Sequence, residues 1–502
     1  MSRLFVTLLS LLFVNLLSAQ FCGTPQGPVL ERMEANMRFL QPIQRGVVKY
    51  VPVTFHLVAD DAGEGRINEE SVLRQLSTFN AQFADQEIVF YIDRLNYFDN
   101  SAVFNDPSST AARIQMRLRK DINSVNIYIV NQIELGGGGP GQTLAYYDSQ
   151  EDWIVTRKSQ VGTSSTLAHE VGHFFSLPHP HLGWDCHPWI PEEYSNPVNV
   201  DFTLECDEGG GSVRIELQNG SNCSIAGDRI CDTPPDYNLG LLFQNDCSQN
   251  TTVKDKNGTL IQPMTNNYMG YYRGCDSYAF TTTQKQLITT DFNSFQRNYI
   301  RTGKIPEQDP VSGPVNYITP IGGIETEGST NILLDWEDVP NATHYLLIID
   351  RFSSFTFDPF RIIVTESQYI VDELTPGALY HWKVWPYNES KTDAGFSAPQ
   401  NFRVGMGTGV NEIEDVSDYS ITPNPAAEGQ SNVLTLSSVN SFDASLTISD
   451  ASGHMLMNQH LSIPSGVSRH NLNTADLAPG IYFVILESEN GILVDRILKA
   501  NN

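Results

Sequence analysis

Apolar and polar residues follow two different rhythms along this chain, and the change falls near residue 302. Before it, strand-like runs are interleaved with helix-like ones. VKYVPVTFHLV predicts a strand at Val48 to Val58, the positions from Glu69 to Phe83 predict a helix, and a strand follows at Glu87 to Ile92. VNIYIVNQI predicts another strand before the glycine run Gly136 to Gly139, and QTLAYY and DWIVTR predict two short strands ahead of a helix at Leu167. Elements mixed in this order predict an α+β, α/β-like domain over residues 47–302. The linker TGKIPEQDPVSGP ends it, and a period of two takes over. In NILLDWEDV the residues Ile332, Leu334 and Trp336 share a face, and in LTPGALYHWKVW a Pro-Gly turn precedes Tyr380, Trp382 and Val384. This pattern predicts an all-β sandwich over 313–405. A second linker, GMGTGVNEIEDVS, leads to a terminal β unit over 419–502.

The first residues, MSRLFVTLLSLLFVNLLSAQ, have a basic start, an apolar run from Leu4 to Leu17 and small residues at Ser18 and Ala19. This is the layout of a secretory signal over 1–19, and the run is too short to span a membrane. Export through the periplasm to the cell surface or medium is the expectation, with no transmembrane segment. The 58 acidic against 31 basic residues give a net charge of −27. That balance argues against nucleic acid or an anionic membrane as partner, since both reward basic surfaces. An acidic surface suits calcium as an added structural ion, although no D-x-[DN]-x-[DN]-G loop offers to hold it. Of seven cysteines, Cys22 stands alone near the start, while Cys186, Cys206, Cys223, Cys231, Cys247 and Cys275 cluster. In an exported chain an even cluster favours three disulfides.

The chemistry concentrates in LAHEVGHFFSLPHPH, from Leu167 to His181. His169 and His173 lie four residues apart, so on a helix they present two imidazoles from one face. Pro178 disfavours helix at Leu177 and ends it there, so the chain turns and either His179 or His181 can return as a third ligand. Three neutral imidazoles and one open position suit catalytic zinc, and Glu170 is placed to take a proton from water. His187 is given no role. The glycine run Gly136 to Gly139 lacks the Lys-Ser/Thr pair of a P-loop and is expected to be a surface loop.

The order from His169 to His179 resembles the metzincin motif H-E-x-x-H-x-x-G-x-x-H, and that resemblance selects His179 as the third ligand. Ser176 replaces the motif's glycine, where a left-handed backbone would burden a serine by about 1 kcal/mol. With HEVGH, the segments GDRICDTPPD, NYMGYY and FTTTQ resemble the pappalysin family, its bacterial cytophagalysin branch included, over about Val48 to Tyr299. The resemblance implies a Met-turn at Met269 beneath the metal. It also implies that Tyr271 helps stabilise the tetrahedral intermediate. The Trp336 strand and LTPGALY resemble a fibronectin type III domain, with Trp336 and Tyr380 as core residues. ITPNPA, DASG, LAPGIYFVIL, the Asn490–Gly491 turn and VDRILK resemble the C-terminal sorting domain of type IX secretion substrates. That likeness implies a small β-sandwich and a partner in the secretion machinery.

Two classes of function follow. One is a secreted zinc metalloendopeptidase acting on proteins or peptides; the other is a surface adhesin whose protease-like domain only binds. Retention of Glu170 with the histidines favours the first. Residues 20–46 are expected to be a pro-segment. Cys22 in QFCGTP resembles the cysteine switch of pappalysin-like zymogens, in which a thiolate takes the open metal position. Pairing of Cys22 with a cluster cysteine, or its acylation, are the alternatives.

Overall fold

The structure is a computed structural model that describes residues 22–43, 45–133, 143–162, 164–185, 188–204, 211–242, 247, 251–357, 359–405, 413 and 415–500. The signal segment, Gly136 to Gly139, Cys186, Cys206 and His187 lie outside the described residues.

The first body is mixed. In chain order it holds α1 (Gln26–Met37), β1 (Lys49–Ala59), α2 (Glu69–Gln82), β2 (Ile88–Asp99), α3 (Ser101–Asn105), α4 (Thr110–Arg119), β3 (Val125–Val130), β4 (Ala145–Asp148), β5 (Trp153–Arg157) and α5 (Thr166–Phe174). The strands form one sheet in the order β2-β1-β3-β5-β4. β2, β1, β3 and β5 are parallel, while β4 runs antiparallel to β5 and forms an edge. β1 and β3 are covered on both faces, which explains their nearly continuous apolar runs.

The β2 strand extends beyond the expected end at Ile92 to Asp99. Its partner β1 supplies backbone pairing as far as Asp99, past a register shift between Val53 and Thr54. An edge strand can place polar side chains in water while its backbone still pairs, so polarity ends before pairing does.

Further along come β6 (Phe202–Leu204) and β7 (Ser212–Arg214), paired as a ribbon, then α6 (Leu239–Leu242) and α7 (Thr282–Asn293). FTTTQ opens α7 with a capping box between Thr281 and Gln284. The main core joins β1, β3, α2 and α5 through Val53, Phe55, Ile127, Phe79, Val171 and Phe174. Disulfides Cys223–Cys231 and Cys247–Cys275 pin the segments after α5.

Two all-β bodies follow. In the first, β8 (Tyr317–Thr319), β9 (Thr330–Trp336), β10 (His344–Asp350), β11 (Phe360–Val364), β12 (Gln368–Glu373), β13 (Leu379–Tyr387) and β14 (Gln400–Arg403) make two sheets, β11-β10-β13-β14 and β12-β9-β8. Trp336, Tyr380 and Trp382 are buried in the core of this body. The second contains β15 (Val416–Thr422), β16 (Val433–Ser438), β17 (Phe442–Asp450), β18 (Met455–Ile463), β19 (Gly466–Asn471), β20 (Gly480–Ser488) and β21 (Gly491–Lys499). Its sheets are β15-β16-β19 and β18-β17-β20-β21, packed over Leu434, Leu446, Val484 and Ile497. Asn490 and Gly491 turn the β20–β21 hairpin, as the sequence led one to expect.

Candidate metal centre

The histidines and Glu170 are positioned by α5 and by the way it ends. The N–H of Ser176 donates to the His173 carbonyl at 2.9 Å, and the N–H of Leu177 donates to the Gly172 carbonyl at 2.9 Å. This is a Schellman end, which demands a left-handed residue at Ser176, and its φ is 67°. The serine hydroxyl accepts a hydrogen bond from Asn36 Nδ2 of α1 at 2.9 Å. Pro178 follows the turn, and His179 is carried back over the histidine face of α5.

The result is a triangle of imidazole nitrogens. Nε2 of His173 lies 3.0 Å from Nε2 of His169 and 3.0 Å from that of His179, and the third side is 3.1 Å. The opposite ring nitrogens all face acceptors: His169 Nδ1 the Tyr268 carbonyl at 2.8 Å, His173 Nδ1 the Leu177 carbonyl at 2.7 Å, and His179 Nδ1 the Asp185 carboxylate at 2.5 Å. Each Nδ1 therefore carries the hydrogen, and three Nε2 lone pairs converge on one another. Lone pairs at such distances repel unless a cation lies among them. Nitrogens 2.0–2.1 Å from one tetrahedral ion would be about 3.3 Å apart, close to the observed spacing. The residues thus fit a metal ion.

His181 does not join the triangle. It is fully buried behind His179, stacked on it with ring centroids 4.6 Å apart, and belongs to a second group with Asp185. Among the described residues, the group that can share one ion is Cys22, His169, His173 and His179.

Cys22 reaches this centre from the N-terminal segment. Its Sγ is 3.4 Å from His173 Nε2 and 3.6 Å from Glu170 Oε2. Cys22 pairs with Ala145 as a parallel bridge, and the Gly23 N–H donates to the Ala145 carbonyl at 3.1 Å, so this segment lies along the free edge of β4. Thr24 Oγ1 donates to Glu170 Oε2 at 3.0 Å and accepts from the Tyr147 N–H at 2.8 Å. Gln26 Oε1 accepts the His179 N–H at 3.0 Å. Helix α1 then docks through Arg32, whose guanidinium grips Asp291 at 2.7 and 2.9 Å.

Met269 lies fully buried at a tight turn in which Asn267 Oδ1 accepts the Met269 N–H at 2.9 Å. A Cβ at Gly172 would collide with the Met269 sulfur, so the glycine of HEVGH is what lets α5 settle on this turn. The Tyr271 hydroxyl accepts the Cys22 N–H at 3.2 Å, which places the ring at the open side of the triangle. Behind α5, the fully buried Arg297 donates to the Phe174 carbonyl and to Asp291 and Asp152.

Burial governs the protonation of these groups. It lowers His169 to about 4 and takes His173 and His179 further below the ordinary imidazole value, with neighbouring imidazoles adding to the effect. All three are neutral, as metal ligands must be. Burial lifts Glu170 to about 8, opposed by the hydrogen bonds from Thr24 and Cys22. Burial, and then the Glu170 charge, push the Cys22 thiol up.

Sequence reasoning missed Thr24, Gln26, Asn36, Asp185 and Arg297. Only Asp185 carried a local signal, as a carboxylate six residues beyond His179.

The Secretion system C-terminal sorting domain family matches residues 420–500. An extracellular metalloprotease of Colletotrichum graminicola is 24% identical over 192 residues, which is 34% of this chain and 68% of that protein. Among solved structures, the FN1–FN3 domains of chicken CNTN1 align at 12% identity and TM-score 0.19, over 38% of this chain and 68% of that one. Dimeric latent PorU from Porphyromonas gingivalis aligns at 14% identity and TM-score 0.16, over 40% of this chain and 21% of that one. The sorting domain marks this chain as a type IX substrate, secreted or held at the cell surface. No helix among the described residues is long and apolar enough to cross a membrane.

Proposed function

We propose that the chain is an exported zinc metalloendopeptidase of the pappalysin type, held latent by its own N-terminal segment. One observation carries the reading: three neutral imidazoles aim their Nε2 lone pairs at one point beside the Glu170 carboxylate, with no protein hydrogen between them. Weak similarity to an extracellular metalloprotease accords with it.

In this reading His169, His173 and His179 hold the ion. Bound zinc would act as a Lewis acid and bring the pKa of a water to about 7. Glu170 Oε2 takes a proton from the attacking water and passes it to the leaving amine. The Tyr271 hydroxyl donates to the oxygen of the carbonyl under attack. Asp185 fixes the tautomer of His179, and Met269 supports the floor. The β4 edge pairs with an extended substrate backbone once residues 22–24 leave it. Cys22 and Thr24 enforce latency together, the thiol at the open metal position and the hydroxyl on the general base.

Calcium finds a place in the same reading. Glu216 and Asp228 are buried carboxylates, and Glu216 Oε2 has no hydrogen-bond partner among the described residues. Burial and then the Asp228 charge raise Glu216 to about 9, so a cation shared by the pair would be needed to keep both ionised.

The test is a zinc-to-protein ratio with casein digestion, with and without chelator, on the parent and on Cys22→Ala. One zinc per chain and chelator-sensitive hydrolysis that Cys22→Ala switches on are expected. Zinc-free, inert protein in both forms would sink the reading and leave the adhesin.

A further inference from the structure

A cavity of about 450 Å³ opens directly beside Glu170 and His169, and the mechanism above assigns no substrate side chain to it. One wall is the N-terminal turn of α5, at Ser164 to Thr166; another is the segment after Met269, through Arg273 and Cys275. Its charged lining among the described residues consists of Glu170, which the proposed reaction employs, and Arg273.

The backbone at Arg273 is tied down while its side chain is exposed at the cavity mouth. Its carbonyl accepts the Cys247 N–H at 3.1 Å, and two residues on, Cys275 closes the disulfide to Cys247. No ion pair involves its guanidinium among the described residues, whereas most other arginines of this body, Arg32, Arg113 and Arg297 among them, are paired. The α5 turn adds to the positive field. Its first turn holds no acidic residue, Ser165 makes no side-chain cap, and the positive end of the helix dipole faces this wall.

We propose that this cavity receives an aspartate or glutamate side chain of the residue flanking the cut bond, with Arg273 as the residue that sets the preference. The inference rests on the protease reading and narrows it to a substrate class. A guanidinium presents a planar fork that matches a carboxylate bidentately, and among the described residues no carboxylate pairs with that of Arg273. A lysine or arginine in the same cavity would meet Arg273 and the helix end with like charge.

The experiment uses full-length, zinc-loaded Cys22→Ala protein and a peptide library randomised on both sides of the cut. Acidic residues should be enriched at one flanking position. A matched peptide pair, glutamate against glutamine there, should differ in kcat/KM by about twofold to tenfold, since Arg273 is exposed and its charge is partly screened. Arg273→Glu should reverse the preference to lysine or arginine at that position, with zinc content unchanged. Should Arg273→Glu not fold, Arg273→Gln decides, by losing the acidic preference. Affinity of the acidic peptide for the Cys22→Ala, Glu170→Gln protein, read by calorimetry, should fall in step. Cleavage without acidic enrichment, or with a preference that survives Arg273→Gln, overturns this inference alone. Failure to cleave any peptide with zinc bound overturns the protease reading beneath it.

Discussion

Replacing Arg297 by methionine tests how α5 is held. The guanidinium is fully buried, with Nε 3.0 Å from Asp291 Oδ2 and Nη1 2.6 Å from Asp152 Oδ1, and it also donates to the carbonyl of Phe174, the last residue of α5. Removing one partner from a buried ion pair costs about 3–5 kcal/mol, because the other charge is left uncompensated. Here the low end applies. Asp291 keeps the Arg32 fork and the Asn36 amide at 2.7 Å, and Asp152 keeps two tyrosine hydroxyls, at 2.8 and 2.7 Å. A loss of about 3 kcal/mol moves the melting of a body this size by roughly 6–12 °C. Arg32→Met, at a partly exposed site, should cost about 1 kcal/mol alone. The double variant strips Asp291 of both cations, so it should exceed the sum by about 1–2 kcal/mol. Calorimetry on the parent, both single variants and the double variant closes the cycle. If Arg297→Met costs under about 1 kcal/mol, or the two changes add within about 0.5 kcal/mol, Arg297 does not anchor the helix and Asp291 does not link it to α1.

Other changes have equally definite outcomes. Glu170→Gln should keep zinc and lose peptide hydrolysis in the Cys22→Ala background, while His173→Ala should lose the zinc itself; retained hydrolysis in the glutamine variant would remove the general-base role. Ser176→Gly trades relief of a left-handed residue, about 1 kcal/mol, against the Asn36 hydrogen bond, about 0.5–1.5 kcal/mol, so it should be near neutral in the parent and stabilising in Asn36→Ala; a melting temperature lower by several degrees in both would refute this. His56 is buried between Asn96 and Asn126, and burial lowers it from 6.5 to about 4. The unfolded chain then binds the extra proton first, so stability should fall as pH drops through that window, and His56→Gln should flatten the fall in a pH series of melts. Added calcium should raise the melting temperature, and Asp228→Asn should abolish that rise; an equal rise in the variant would move the ion elsewhere.

The sequence by itself determined what short-range pattern can encode. Four-residue spacing put His169 and His173 on one face of α5, and the apolar runs of β1 and β3 announced strands, but the helix stops at Phe174 in a Schellman turn, before the end at Leu177 that Pro178 predicted. The turn residues of the terminal unit were enough to resemble a sorting domain, which the family match over residues 420–500 bears out. Tertiary structure alone decided the rest. His179 and His181 are two residues apart and equally able to bind in principle; the Schellman turn and the Asp185 carboxylate decide which one faces α5. Ser176 looked like a fault in the turn, yet its hydroxyl is spoken for by Asn36, 140 positions earlier. Cys22 lies 148 positions from Glu170 and Arg32 lies 259 from Asp291, and no local rhythm records such pairs. Helix faces and turns follow from bonds among near neighbours, whereas a charge network or the Cys22 contact with the histidines exists only after distant elements have packed and excluded water.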